Sequence, residues 1–115
     1  MANTFKVVTK AGVTSLDVIY TVAGSTTTVI LGLVLGNTTA SQITTTVSLA
    51  TDTSNRAGAN NESNQTVELV TNAPIPAGSS LEMLAGNKVV METTDALSVT
   101  GSGATDVVLS IMEMT

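Results

Sequence analysis

From residue 26 to residue 51 the chain reads TTTVILGLVLGNTTASQITTTVSLAT. An aliphatic run ends at Gly36 and a polar cluster follows. The residues from Ile43 to Leu49 then place apolar side chains or threonine on one face and threonine or serine on the other. Alternation with a period of two is the pattern of a strand, and a cluster of asparagine, threonine and serine is typical of a turn. The stretch therefore predicts two strands of a two-layer β protein.

The strand over residues 26–36 is apolar on both faces. A strand of this kind is central in its sheet, or its outer face is covered by a neighbouring subunit. Regular alternation predicts one face formed by Val29, Leu31, Leu33 and Leu35, and an opposite face formed by Ile30, Gly32 and Val34.

Short runs of strand-forming residues recur along the rest of the chain. Residues 52–64 contain no apolar side chain larger than alanine and predict the longest loop, while Ala85-Gly86-Asn87 predicts a hairpin turn. No window sustains the 3.6-residue period of a helix. We therefore expect an all-β fold, an antiparallel β-sandwich or jelly-roll-like arrangement of about eight or nine short strands with no substantial helix. The further predicted strands are residues 5–9, 16–22, 66–70, 80–84, 88–92, 97–100 and 107–114.

The charge distribution separates the first ten residues from the remainder of the 115-residue chain. Residues 1–10 carry Lys6 and Lys10 and no acid, whereas residues 11–115 carry two basic residues against nine acids. We expect residues 11–115 to form a single β-sandwich domain, and residues 1–10 to form an N-terminal arm or edge strand. As an arm, the basic segment reaches acidic groups of a neighbour; as an edge strand, it uses its lysines for protection.

Residues that commonly perform catalysis are scarce. The chain has no histidine, cysteine or tryptophan, and one tyrosine and one phenylalanine. A serine nucleophile lacks a histidine to activate it, and a glycosidase carboxylate pair lacks aromatic sugar subsites. The spacing of Asp52 and Glu62 matches no calcium loop, and the sequons at Asn37, Asn61 and Asn64 follow from the composition. We expect no enzyme activity, no cofactor and no metal site.

Nucleic acids and membranes are also disfavoured as partners. Four basic residues and two aromatic residues do not supply the charge cluster and stacking platforms of a nucleic-acid binder. The most apolar run, from Val29 to Leu35, is far shorter than the roughly 20 residues of a membrane-spanning helix. The N-terminal residues lack the apolar block of a secretion signal. These features predict a protein made in the cytosol that binds other proteins.

Two stretches resemble small virion structural proteins of tailed bacteriophages. The first is IYTVAGSTTTVILGL from Ile19 to Leu33, followed by Asn37-Thr38-Thr39. Those proteins commonly have a Tyr-Thr-Val-Pro-Ala-Gly turn, a strand into Gly-Leu and an asparagine turn. The second is LVTNAPIPAGSSLEMLAGNK from Leu69 to Lys88. In this chain Ala23 replaces the usual proline, and Thr94-Asp95 stands where a Gly-Asp pair is common.

The resemblance implies a non-enzymatic subunit of a phage virion, in the first place a head decoration or cement protein. Such a protein binds the outer surface of the capsid and stabilises the shell. The implied partners are the major capsid protein and further copies of the chain, as a homotrimer, and the implied location is the virion, after synthesis in the host cytoplasm. A neck or tail structural subunit is the alternative. A carbohydrate-binding adhesin module is a remote alternative, because such a module needs exposed aromatic residues and the chain has nearly none.

The basic N-terminal segment supplies our hypothesis for the contact with a partner. Phe5 and Val7 are the expected apolar anchors, and Lys6 and Lys10 are expected to meet acidic groups of the capsid protein. An interface of this kind combines buried apolar side chains with charged groups that orient the partner.

Overall fold

The computed structural model describes residues 2–51, 65–84 and 88–115; the predicted loop at 52–64 and the predicted turn at 85–87 lie outside the described residues. The described residues form nine strands and no helix, which confirms the all-β prediction. Accordingly, none of them belongs to a helix that is long and apolar enough to cross a membrane. The strands are β1 (Asn3–Val13), β2 (Asp17–Thr21), β3 (Thr27–Asn37), β4 (Ile43–Ala50), β5 (Thr66–Ile75), β6 (Ser80–Met83), β7 (Val89–Met91), β8 (Ala96–Gly101) and β9 (Thr105–Met114).

The strands form two antiparallel sheets that pack together as a β-sandwich. The five-stranded sheet has the order β1-β9-β3-β6, with β7 also pairing with β3. The four-stranded sheet has the order β2-β8-β4-β5. Strands adjacent in the chain therefore often belong to different sheets, as in sandwiches with crossing connections.

An aliphatic core fills the space between the sheets. Both sheets contribute inward side chains at alternate positions, and threonine occupies some of the same positions because its methyl group packs like that of valine. In β4, Ile43, Thr45, Val47 and Leu49 are all buried, as the alternation predicts. The largest fully buried side chains include Ile30, Leu33, Leu35, Ile75, Met91, Leu97, Leu109 and Ile111.

A β-bulge interrupts β3, and it corrects the predicted faces of that strand. Ile30 pairs with Ile111 of β9, and Gly32 pairs with Ser110, the neighbour of Ile111 along β9. Leu31 therefore has no partner in β9 and is the extra residue of the bulge. The extra residue reverses the alternation after the bulge. The predicted grouping of Val29, Leu31, Leu33 and Leu35 on one face is therefore wrong, because the core-facing residues are Ile30 before the bulge and Leu33 and Leu35 after it.

Residues 3–13 form a single long strand at one side of the five-stranded sheet. Their register with β9 is unbroken from Asn3 to Lys10 and shifts between Lys10 and Val13. Gly12 lies in this shift with a φ of 69°, a left-handed conformation that glycine adopts without steric cost. In the described part of the chain, β9 alone pairs with β1, so residues 3–10 have the backbone pairing of an edge strand.

Candidate interaction surface

The outer face of the five-stranded sheet carries most of the exposed large apolar side chains of the described chain. Directly paired residues of antiparallel strands share a face, so the register identifies the side chains that point away from the core. We call this surface the apolar face, and define it by Phe5 and Val7 of β1, Val108 and Met112 of β9, Val29 and Val34 of β3, and Val90 of β7.

A row of apolar residues crosses the whole width of the apolar face. Phe5 pairs with Met112, Met112 pairs with Val29, and Val29 pairs with Val90. The two ends of the row are the most exposed, with Phe5 71% and Val90 51% accessible. Contiguous exposed apolar side chains of this kind mark protein interaction sites.

Among the described strand residues of this sheet, the outward-facing charged side chains lie at one end. Glu82 pairs with Val34, and Asp106 pairs with Gly36, which places both exposed acids away from the row that contains Phe5. Among the described strand residues of this sheet, no outward-facing side chain is basic. A surface with few charges can be covered by a partner at a small desolvation cost.

The four predicted contact residues divide between the two sides of β1. Phe5 and Val7 lie on the apolar face, with Val7 62% exposed. Lys6 and Lys10 lie on the opposite side, and each forms an ion pair within the chain. The Nζ atom of Lys6 is 2.7 Å from Oε1 of Glu113, and that of Lys10 is 3.5 Å from Oδ1 of Asp17. The lysines therefore contact acids of this chain at the side where β1 approaches the other sheet.

Tyr20, the single tyrosine of the chain, links the two sheets through the same carboxylate. Its hydroxyl donates a hydrogen bond to Oε2 of Glu113 at 2.6 Å and lies 2.7 Å from Oγ1 of buried Thr28. Burial and the hydrogen bond to Glu113 raise the pKa of Tyr20 to about 12. Hydrogen bonds from Lys6 and Tyr20 hold the pKa of Glu113 below its ordinary value. Sequence reasoning missed this network, although a lone inward-facing tyrosine needs a polar partner for its hydroxyl.

Acid is expected to remove the stabilisation that Glu113 provides. Because the pKa of Glu113 is lower in the folded state, this contribution is present above the ordinary value of 4.5 and is lost as the pH falls through the folded pKa. The variant Glu113→Gln is expected to flatten the acid side of the stability profile. Urea unfolding between about pH 2 and pH 7 measures the effect. Glu82→Gln removes an exposed carboxylate from the same sheet as a control, and equal profiles for the two variants would contradict the network.

Asn37 fixes the loop between β3 and β4 to the end of β5. Its Nδ2 group donates to the carbonyl oxygens of Ser41, Ile75 and Pro76 at 2.8, 2.9 and 3.2 Å. Its Oδ1 atom accepts hydrogen bonds from both the backbone N–H and the hydroxyl of Thr39, each at 2.8 Å. The sequence predicts only a turn here. Because the side chain is buried, the first sequon holds a structural amide rather than an accessible glycan acceptor.

The structure gives no information on the remaining candidate residues named from the sequence. The possible calcium ligands Asp52 and Glu62 and the sequons at Asn61 and Asn64 lie outside the described residues. Within the described ranges, no group of three or more histidine, cysteine, aspartate or glutamate residues could hold a metal ion.

Comparisons with known proteins do not indicate what the apolar face binds. The chain matches no protein-family model, and neither a curated protein nor a solved structure gives a significant match.

Proposed function

We propose that the chain is a non-enzymatic structural protein of a tailed-bacteriophage virion, and within it a head decoration or cement subunit that binds the outer capsid surface and stabilises the shell. The observation that carries the proposal is the apolar face, with its uncharged row from Phe5 to Val90. The resemblance of residues 19–33 and 69–88 to small virion proteins supports the phage context. The proposed partners are the major capsid protein and further copies of the chain.

The physical properties of the apolar face suit attachment to a repeating lattice. Its row spans the sheet, so a partner can contact both edges of the five-stranded sheet at once. Each copy contributes a modest apolar contact, and linked copies on a symmetric lattice convert modest contacts into firm attachment. Lys6 and Lys10 already have acidic partners in the chain, so we assign the contact to the apolar side chains instead.

Binding to phage heads tests the proposal directly. The purified protein is mixed with heads that lack it, from the phage that encodes the chain, and the heads are sedimented. We expect saturation at a fixed ratio to the major capsid protein. Gold-labelled antibodies on complete virions should then cover the head. Label confined to one vertex or to the tail would replace the decoration proposal with the neck or tail alternative, and absence from the virion would overturn both.

A matched pair of valine substitutions tests the role of the apolar face. Val90 is 51% exposed on this face, and Val18 is 50% exposed on the outer face of the four-stranded sheet. Val90→Thr is expected to weaken head binding by about fivefold, which corresponds to about 1 kcal/mol, whereas Val18→Thr is expected to have no effect. Equal effects would show that another surface binds. Deleting residues 2–10 is a poorer test because it removes most of β1.

A further inference from the structure

The outer edge of β1 presents a regular array of backbone hydrogen-bonding groups. The backbone groups of Ala2 and Thr115 exchange two hydrogen bonds, of 3.2 and 3.0 Å. In an antiparallel ladder such pairs recur at every second residue, and the register with β9 is unbroken to Lys10. The even-numbered residues of β1 therefore bond to β9. The N–H and C=O groups of Asn3, Phe5, Val7 and Thr9 point away from β9, toward an edge with which no described strand pairs.

The same odd-numbered residues include both exposed large apolar side chains of β1. Phe5 and Val7 project from the apolar face, 71% and 62% exposed, while Lys6 and Lys10 project toward the opposite side. An added strand would thus gain backbone hydrogen bonds and apolar contacts from the same residues. A long edge strand with these properties is a template for pairing with another chain.

The other described edges of the sandwich are less suited to strand addition. Strand β2 has five residues and an irregular register. Strands β6 and β7 have four and three residues. Strand β5 contains Pro74 and two register shifts. Short strands, bulges and proline are among the features by which proteins protect edges, and residues 3–10 of β1 lack these three. Lysines are a further protection, but Lys6 and Lys10 are paired with Glu113 and Asp17 on the side away from the apolar face.

We propose that β1 pairs with β1 of a second copy of the chain, in antiparallel orientation about a two-fold axis at Val7. The added strand is β1 of a second copy because the edge of β1 requires an extended strand with apolar side chains on alternate residues of one face. Strand β1 itself has these properties. The two five-stranded sheets then form one ten-stranded sheet, and their apolar faces lie on the same side. This inference is independent of the proposed function, and it replaces the homotrimer that the resemblance implies with a two-fold dimer.

The position of the axis follows from the lysines. An axis at Lys6 would place the two Lys6 side chains directly opposite each other, which is unfavourable for like charges. An axis at Phe5 would shorten the paired segment. With the axis at Val7, Phe5 lies opposite Thr9 of the partner subunit, and the Val7 residues of the two copies form a hydrogen-bonded pair.

A single cysteine on the axis tests both the pairing and its register. The chain has no cysteine, so each variant contains one thiol. Hydrogen-bonded antiparallel pairs have Cα atoms about 5.5 Å apart, within the range of a disulfide. Val7→Cys is expected to convert under mild oxidation almost entirely to a covalent dimer. Val18→Cys and Val90→Cys are exposed controls that should remain monomers on a non-reducing gel. Equal cross-linking of all three variants overturns the proposed register.

The mass of the unmodified protein provides the second measurement. Light scattering is expected to give twice the chain mass of 11.6 kDa. Val7→Pro removes one edge-facing N–H without removing a bond to β9, and it is expected to halve the mass while the β-sheet circular dichroism is retained. A monomeric or trimeric mass for the unmodified protein overturns the inference. A dimer that ignores phage heads overturns the decoration function alone, and a monomer that binds them overturns the dimer alone.

Discussion

Replacing Asn37 with aspartate is expected to lower the free energy of unfolding by about 3 kcal/mol or more. The amide Nδ2 group faces the carbonyl oxygens of Ser41, Ile75 and Pro76, and a carboxylate would bring a negative oxygen to the same place. Three acceptors would then lose their donor, and a charge would be buried without a positive partner. The side chain is only 4% exposed, so solvent cannot relieve this cost.

The control for Asn37→Asp is the same substitution at an exposed asparagine. Asn72 lies on the surface of β5, and Asn72→Asp makes an identical change in net charge. It is expected to alter the free energy of unfolding by less than about 0.5 kcal/mol. Urea unfolding of the three proteins, followed by circular dichroism, measures the difference. A loss below about 1 kcal/mol for Asn37→Asp would mean that the buried amide does not hold the loop.

Gly101→Ala is expected to destabilise the protein by about 3 kcal/mol. A Cβ atom at position 101 would lie 2.5 Å from Oγ1 of Thr105, 2.7 Å from the carbonyl oxygen of Gly103 and 2.8 Å from that of Val13. The threonine side chain can rotate, but the two carbonyl groups belong to backbone that pairs in the sheet or forms the adjoining turn. The close approach of β8 to the end of β1 therefore requires glycine.

Gly24→Ala is the matched control for Gly101→Ala. A Cβ atom at position 24 would meet no atom within 4 Å, and its backbone φ is not positive. Its expected effect on stability is within about 0.5 kcal/mol in either direction, because alanine also restricts the unfolded chain. Thermal unfolding of both variants compares them with the unchanged protein. Similar melting temperatures for the two variants would refute the steric argument at Gly101.

The strands were predictable where a single face is buried and the pairing is regular. Strand β4 is an example, because the alternation of its residue types from Ile43 to Leu49 indicates which side chains enter the core. In β3 the same reasoning fails at Leu31, since a bulge depends on how the strand pairs with β9. An inserted residue changes the exposure of every later side chain, and nothing local to β3 signals it.

Thr94 occupies a turn position whose backbone conformation favours glycine. It stands where the phage virion proteins that the chain resembles commonly have glycine, and its φ is 71°. A left-handed conformation costs a residue other than glycine about 1–2 kcal/mol. Thr94→Gly would remove this cost.

The apolar face could be predicted only in part. The sequence singles out Phe5 and Val7, but it does not show that Met112, Val29 and Val90 continue their row, because these residues are brought together by pairing among four strands. For the same reason the sequence does not show which acids lie near Lys6 and Lys10. Their acids, Glu113 and Asp17, become neighbours only when β1 is placed at the edge of the sandwich.

The central place of β9 has a consequence for folding during synthesis. Strand β9 lies between β1 and β3, although about 100 residues separate β1 from it along the chain. The β1-β9-β3 part of the five-stranded sheet therefore cannot form until β9 has left the ribosome, and until then β1 and β3 lack the strand that pairs with both. Closing so long a loop slows folding, since its entropy must be lost before the native contacts compensate for it. The nascent chain thus remains dependent on protection from aggregation until β9 has been synthesised.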